Sequence, residues 1–562
     1  MTSIAPFLIF FLGAALALVT GGILRSAIML AVPLLGGLNL LLLADGNAAQ
    51  IHLFDYTLTL VRVDKLSFLF GILFHLAAFL AILFSLHVKD RMQNVSGLVY
   101  AGSALGAVFA GDLLSLFVFW EILAVSSAFL VLAARSATSY GATMRYLLFQ
   151  ILSGVVLLAG VLVYAHQTGS IAFGKMALDG LGPWLIFLAI GIKCGFPLLH
   201  NWLTDAYPQS TPTGAVFLSA FTTKVAVYAL ARSFAGTEIL IYIGAAMTMF
   251  PIFFAVIEND LRRVLSYSMI NQIGFMVCGI GLGSALAVNG AVSHAFNDVI
   301  FKGLLFMSMG AVMLRTGTTK ASELGGLYKS MPWTTGFCIV GAASISAFPL
   351  FSGFVSKSMV MVAALEDGHP IIWLALLFAS AGVLEHAGIK IPFFAFFAHD
   401  AGHRVPEAPK NMLIAMGIAA VVCIFNGTYP WVLYSLLPFP VDYAPYTSDH
   451  VLTQVQLLLF ASLGVAVLMQ TRLYPPEVPG VNIDAEWSYR KALPAVARWV
   501  ARASGRVRWA ALARAEKGIE RFLGQIHKHH GPQGILARTW PTGSMAFWAT
   551  VLLAIYLVAY YV

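Results

Sequence analysis

Five lysines, Lys193, Lys224, Lys302, Lys357 and Lys390, lie inside stretches apolar enough to span a bilayer, and Glu121 lies in another. A charge at the bilayer centre costs about 2.5–3.5 kcal/mol on insertion scales, so such residues face the bundle interior, pair with one another and mark ion or proton paths. Amines and carboxylates both exchange protons, and burial and neighbouring charges decide which form each holds. Five amines spread over five helices predict a relay, with ion translocation as its chemistry.

The local sequence around these groups sharpens the reading. Glu121 falls near the middle of its span, where a carboxylate must be paired or protonated. Lys193 stands four residues before Pro197, and a proline inside a helix frees a carbonyl and breaks the ladder. Irregular backbone at membrane depth is tolerated where it lines a polar cavity, the device of transporter sites. The same device recurs in Pro349-Leu-Phe-Ser-Gly353-Phe-Val-Ser-Lys357. His294, Asp298 and Lys302 are spaced four apart, which predicts one polar stripe on an apolar helix. Histidine titrates near neutral pH and suits a proton shuttle. Glu385, His386 and Lys390 form a further cluster at helical spacing.

The elements that must position these groups are transmembrane helices. The chain is 59% hydrophobic and 10% charged, with mean hydropathy +0.85, far less charged than the roughly 25% of a soluble domain. Apolar runs predict sixteen spans: 4–20, 23–43, 66–88, 95–111, 113–133, 143–165, 183–207, 212–234, 238–257, 264–283, 287–313, 332–362, 371–397, 410–430, 452–470 and 541–562. With the N-terminus outside, the inside loops carry Arg25, Lys89, Arg91, Arg135, Arg145, Arg262, Arg263, Arg315, Lys320, Lys329, Arg404 and Lys410. The outside loops carry only Arg62, Lys65, Lys175 and Arg232, a strong positive-inside bias. The net charge of +8 therefore reflects membrane topology and not nucleic-acid binding. The first run has no positive n-region and reads as a retained span.

Spans seven and twelve, the two with a lysine beside a break, are five apart. An odd-numbered repeat inserts with opposite topology, so 95–234 and 235–400 are expected to be inverted five-helix repeats. Residues 1–94 supply N-terminal helices and 401–470 peripheral ones. Residues 471–540 are basic. From 494 to 528, Val496, Val500, Trp509, Leu512, Ile519, Phe522 and Ile526 alternate at helical spacing with Arg498, Arg502, Arg506, Arg514, Lys517 and Arg521. This predicts an amphipathic interfacial helix on anionic lipid, roughly 50 Å long if straight, with Gly505, Gly518 and Gly524 as the candidate break points and 541–562 as a final anchor.

These motifs resemble the proton-translocating antiporter-like subunits shared by respiratory complex I and Mrp-type cation/proton antiporters, with the D-type subunits of the Mrp class nearest. The resemblance covers roughly 60–430. It rests on Phe119-Trp-Glu121, Phe196-Pro-Leu-Leu-His-Asn-Trp-Leu-Thr-Asp-Ala-Tyr-Pro208, Thr223-Lys224, His294-Ala-Phe, Phe301-Lys-Gly-Leu-Leu-Phe and Phe348-Pro-Leu-Phe-Ser-Gly-Phe-Val-Ser-Lys357. It implies a charge pair of Glu121 with Lys193, a bridging Lys224, the His294 helix and Lys357 as the terminal lysine of a second half-channel. It also implies a multi-pass subunit of a bacterial inner-membrane complex that contains homologous subunits.

Three functions share such residues: exchange of H⁺ for Na⁺ or K⁺, proton pumping in a redox complex, and energy coupling for inorganic-carbon uptake. A self-contained redox enzyme is disfavoured, because the sequence has no Fe–S cysteine set, haem pair or dinucleotide loop. Cys194, Cys278, Cys338 and Cys423 are far apart, so no metal or cofactor is expected.

Overall fold

The computed structural model describes residues 4–53, 56–478, 480, 482–532, 534, 537–538 and 541–561; residues 1–3 and 562, at the ends of the first and last expected segments, lie outside the described residues. The helices are α1 (Pro6–Val19), α2 (Gly22–Leu40), α3 (Lys65–Ser85), α4 (Arg91–Phe109), α5 (Leu113–Leu132), α6 (Ala137–Thr168), α7 (Leu181–Cys194), α8 (Asn201–Ala206), α9 (Gly214–Ala220), α10 (Thr222–Ser233) and α11 (Ile239–Ile257). They continue as α12 (Leu261–Leu282), α13 (Ala285–Thr316), α14 (Pro332–Ile345), α15 (Ser352–Glu366), α16 (Pro370–Val383), α17 (Lys390–Pro392), α18 (Lys410–Thr428), α19 (Trp431–Ser435), α20 (Ser448–Gln470), α21 (Leu493–His530) and α22 (Thr542–Tyr561).

Among the described residues, 12 helical segments are long and apolar enough to cross a membrane, and α9 with α10 counts as one of them. The other expected spans also carry helix. The 4–20 run holds only 14 residues of helix in α1, and 95–111 falls in α4, which opens on Arg91-Met-Gln-Asn94. The runs 183–207 and 332–362 are each split in two. Sixteen crossings thus requires counting the short, the polar and the broken helices as crossings.

The breaks have identifiable causes. α7 ends at Gly195, in the left-handed region at φ 80°, and Leu198 follows at φ 70° before α8 begins. Between α14 and α15, Ala347 and Leu350 are left-handed at φ 57° and 74°. Leu198 and Leu350 occupy the same place in two Phe-Pro-Leu triplets, Phe196–Leu198 and Phe348–Leu350. A leucine in that region is strained and persists only where its surroundings hold it. Gly353 sits in the first turn of α15, where a Cβ would stand 1.9 Å from the Ser344 carbonyl oxygen. A third interruption at Phe221 divides α9 from α10, inside the run read as one helix. After α16 the backbone widens into π-helical turns at Leu384–Ile389 and Phe393–Phe397. Such turns in membrane spans concentrate at functional sites.

α13 is the hub, packed against α3, α9, α10, α12, α14, α15 and α18. α18, from the segment expected to be peripheral, is thus wedged against the central helix. Asn411 at its start donates to the Leu83 and Phe84 carbonyls at 3.0 and 2.9 Å, capping the end of α3. Arg262, read above as an inside-loop charge, is wholly buried and donates to the carbonyls of Pro208 and Ser210, both at 3.0 Å. At the other end of the bundle, Arg232 bonds Asp64 at 2.8 Å. Burial alone would raise the Asp64 carboxyl, but Arg232, the Ser67 amide and Arg62 hold it below the usual carboxylate range.

A hairpin not foreseen in the sequence joins α2 to α3. β1 (Gly46–Leu53) pairs antiparallel with β2 (Tyr56–Val63), Ile51 opposite Leu58. Alternation in Tyr-Thr-Leu-Thr-Leu-Val-Arg-Val was the available signal. The Thr59 amide donates to Asp112 at 2.7 Å, and the same carboxylate caps α5 through the Ser115 amide at 2.7 Å.

The chain forms two compact units, Met1–Asn482 and Ile483–Val562. The boundary falls twelve residues beyond the expected start of the basic segment, because Tyr474, Glu477 and Asn482 bond back onto the first unit. In the second unit, α21 runs unbroken for 38 residues through Gly505, Gly518 and Gly524, about 57 Å at 1.5 Å per residue. Glycine weakens a helix by only about 1 kcal/mol relative to alanine, so these three do not suffice to break it.

Gly353→Ala should cost about 1–3 kcal/mol, because the added carbon overpacks against backbone. Purified protein should melt several degrees lower. Gly336→Ala in α14, where nothing lies within 4 Å of the new carbon, should leave the midpoint unchanged or raised.

Candidate functional site

The buried lysines solve one physical problem in different ways. An ammonium has three N–H donors and needs acceptors once it leaves water. Lys193 donates to the Trp120 carbonyl at 2.6 Å and lies 4.4 Å from the centre of the Trp120 ring. Lys224 reaches the Ser219 carbonyl at 3.4 Å, at the interruption between α9 and α10. Lys357 reaches the Ile345 carbonyl at 3.0 Å, at the end of α14, and faces the Phe275 ring at 5.0 Å. Lys302 donates instead to the Ser268 hydroxyl at 2.8 Å. Broken helices thus supply carbonyls as well as space.

Carboxylates are scarcer. Asp298 forms an ion pair with Lys224 at 2.6 Å, and neither side chain has any solvent exposure. His294, Lys302 and Lys357 all lie within electrostatic reach of Asp298. Glu121 interacts electrostatically with Lys193 but is only half-buried. Its carboxylate rests against Gly154 of α6, and it borders a groove lined by Val95, Val99, Ile122, Val125 and Phe129.

The expected stripe of His294, Asp298 and Lys302 does not form its own i,i+4 contacts. Each residue pairs instead with a different neighbour of α13. Asp298 goes to α10 and Lys302 to α12, while His294 bridges α12 and α15. The His294 ring is held by a wire of amides. Asn271 donates to the Thr248 carbonyl at 2.5 Å, Gln272 donates to Asn271 at 2.6 Å, and Gln272 Oε1 meets His294 Nε2 at 3.1 Å. An amide oxygen only accepts, so Nε2 carries the proton and Nδ1 is left as acceptor for Ser356, 3.0 Å away. Ser356 precedes Lys357. Asn271, Gln272 and Ser268 escaped a sequence reading that followed charges; intramembrane amides and hydroxyls in an apolar run were the signal.

Lys390 lies within electrostatic reach of both Glu385 and His386 across a π-helical turn, but the short contacts of Glu385 and Lys390 come from other segments. Glu385 accepts from Tyr474 at 2.6 Å. Lys390 donates to the carbonyls of Val256 and Glu258 at 2.6 and 2.7 Å and pairs with Glu477 at 2.9 Å. It caps the C-terminus of α11, where a cation is favoured. Burial pushes the Glu477 carboxyl up, against the pull of the Lys390 ammonium. His386 is wholly buried within electrostatic reach of Lys302 and Lys390. Lys193 precedes its helix break, whereas Lys357 follows its own and folds back to the carbonyl before it.

Residues 110–382 match the family described as NADH:quinone oxidoreductase/Mrp antiporter, TM. The D-type Na(+)/H(+) antiporter subunit of Alkalihalophilus pseudofirmus is 31% identical over 356 residues, covering 59% of this chain and 72% of the relative. The chain belongs to this family. Hydrogenase-4 component B of Escherichia coli is 26% identical over 425 residues, which cover 66% of this chain, and the match spans only 62% of that relative's length. Among solved structures, a chain of the membrane-bound sulfane sulfur reductase, an archaeal respiratory membrane complex, superposes with a TM-score of 0.70 at 22% identity, covering 99% of both chains. Family membership and the helices described make this a multi-pass membrane protein.

Two substitutions probe the charge row. Asp298→Asn strands a buried ammonium, which costs about 3–5 kcal/mol. Pairing it with Lys224→Met should return much of the thermal stability without returning activity. Gly154→Ala should displace the Glu121 carboxylate, whose Oε1 lies 1.3 Å from where the new carbon would stand. Ion flux should fall while the melting temperature stays within a few degrees, since the clash is with the end of a flexible side chain.

Proposed function

We propose that this protein is the proton-translocating subunit of a multisubunit Na⁺/H⁺ or K⁺/H⁺ antiporter in a bacterial plasma membrane. The observation that carries the reading is the buried row itself. Lys193, Lys224, Lys302 and Lys357 outnumber the carboxylates Glu121 and Asp298, so the row cannot hold every amine charged and compensated at once. A proton added at one end changes which pairing is favoured next to it. Protons pass from Glu121 and Lys193 through Lys224, Asp298 and His294 to Lys302 and Lys357, and His386 lies beside the last step. The relative from Alkalihalophilus pseudofirmus, named for Na(+)/H(+) antiport, supports the exchange of a monovalent cation. A second reading, membrane subunit of a proton-pumping redox complex, is favoured by the relative named hydrogenase-4 component B.

The two Phe-Pro-Leu breaks support 95–234 and 235–400 as inverted halves, the first offering Glu121 and Lys193 and the second Lys357. The loop charges orient the N-terminus outside, the basic segment inside and the last helix back across the membrane. α21 has no buried side chain among its described residues and a strongly basic face. It binds anionic headgroups, at about 1 kcal/mol per basic residue near the surface, and straps this subunit to homologous neighbours.

The test is cation replacement in vesicles carrying the whole complex. Glu121→Gln or Lys193→Ala should abolish translocation and leave membrane assembly intact; normal transport in either removes the assignment. Proton flux that needs neither Na⁺ nor K⁺ but follows electron transfer selects the redox reading. Removing residues 483–562, which leaves Tyr474, Glu477 and Asn482 on the first unit, should cut recovery of the intact complex while the melting temperature of the remaining bundle stays within a few degrees.

A further inference from the structure

Lys357 does not end in packed hydrocarbon. A cavity bordered by Lys357 and Ser358 of α15, Trp373 of α16, and His450, Thr453 and Gln454 of α20 begins beside it. His450 lies in the first turn of α20, while Gln454, one turn further along, donates to the Ser346 carbonyl at 3.4 Å, in the break between α14 and α15. One face of α20 therefore runs from the helix start to the break, about 6 Å per turn of four residues.

The His450 ring is held in a defined state. It stacks on Phe354 with centroids 4.5 Å apart and planes 17° apart. Its Nδ1 lies 2.7 Å from the Pro445 carbonyl oxygen, which can only accept. Nδ1 therefore carries a proton, and Nε2 holds the lone pair with no protein partner among the described residues. The titratable groups around it are Lys357 of α15, which lines the same cavity, Asp449 of its own helix and Tyr446 of the preceding loop, which stacks on the same Phe354 ring, while Tyr443 reaches Ser358. α16 contributes Trp373 and Leu377, which do not titrate.

We propose that His450 is the proton-exchanging group at the mouth of the cavity that ends at Lys357. Nε2 takes a proton from bulk water to give an imidazolium. That N–H bond then breaks as a new one forms at the Lys357 amine, through the Ser358, Thr453 and Gln454 side chains or water between them. The products are a neutral imidazole and an ammonium, and the reverse sequence releases a proton. His450 lies outside residues 110–382 matched by the family, so this mouth is built by a helix beyond the shared core. The proposal rests on the reading of the buried row as a proton path.

The experiment compares His450→Phe, His450→Gln, His450→Ala and Lys357→Ala in vesicles with the full complex. The phenylalanine keeps the stack on Phe354 and the glutamine keeps a donor to Pro445, so at least one variant should fold with an unchanged melting temperature. Both should slow proton flux about a hundredfold, the lower range for loss of a proton-transfer group. Both should also lose the inflection near the histidine range from the rate–pH profile. Added imidazole should restore flux in His450→Ala but not in Lys357→Ala. Wild-type rates and profiles in His450→Phe and His450→Gln, with Lys357→Ala inactive, overturn the role of His450 and leave the row intact. Slow flux that imidazole does not restore also overturns it, as a packing effect. Normal flux in Lys357→Ala removes the row reading itself.

Discussion

A lysine and an aspartate held 2.6 Å apart, with no solvent exposure on either side chain, leave the helices around them little freedom. Each ion gives up several kcal/mol of hydration on burial, and that loss is offset only while the partner stays in place with good geometry. Asp298 is also the one carboxylate with no solvent exposure at all among the described residues. Lys302, Lys357 and His294 are arranged within reach of its charge. α10 and α13 are therefore tied by electrostatics first and by packing second. The helix that carries Asp298 sits at the hub of the bundle, where one carboxylate serves Lys224 of α10 and Lys357 of α15 as well as groups on its own helix.

Two of the amines, Lys224 and Lys357, draw on interrupted backbone as well. A continuous helix has no carbonyl to spare except at its end. Ending α14 at Ile345 and interrupting the chain at Phe221 create such ends inside the membrane, and Lys357 and Lys224 use them. The strained Leu350 is part of the conformational cost of the end at Ile345. Lys390 uses a natural helix end in the same way. The difference is that its four oxygen partners, one of them Glu477, hold it still, whereas Lys357 has a single protein acceptor and a cavity beside it.

Much of this was legible in the sequence because hydrophobicity and proline are local signals. The lysines, the broken runs at Pro197 and Pro349 and the helical character of every expected span could be read directly. Pairings could not. His294, Asp298 and Lys302 have the spacing of an i,i+4 stripe, but a buried helix with neighbours on all sides offers each residue a stronger partner across the interface than along its own axis. Glu385 and His386 stay within electrostatic reach of Lys390, but the short partners Tyr474 and Glu477 come from a segment remote in sequence that spacing cannot reveal. The hairpin at Gly46–Val63 was hidden by its placement between two apolar runs, and the Phe221 interruption by the absence of proline. Whether α21 stays straight through its three glycines was not legible, because about 1 kcal/mol each neither forces nor forbids a break.

The cap that Asn411 places on α3 has a consequence for biosynthesis. The amide and the carbonyls it covers are separated by 328 and 327 residues. At about 5–20 residues per second of chain growth, roughly 15–65 s pass between the emergence of α3 and the arrival of its cap. During that interval the end of α3 must be served by water or lipid headgroups, and the helices before α18 exist as a bundle whose seam is still open. α18 therefore acts as a closing wedge. The nascent protein cannot reach its final packing in step with synthesis, and a chain stalled before residue 411 leaves the ribosome with that seam exposed.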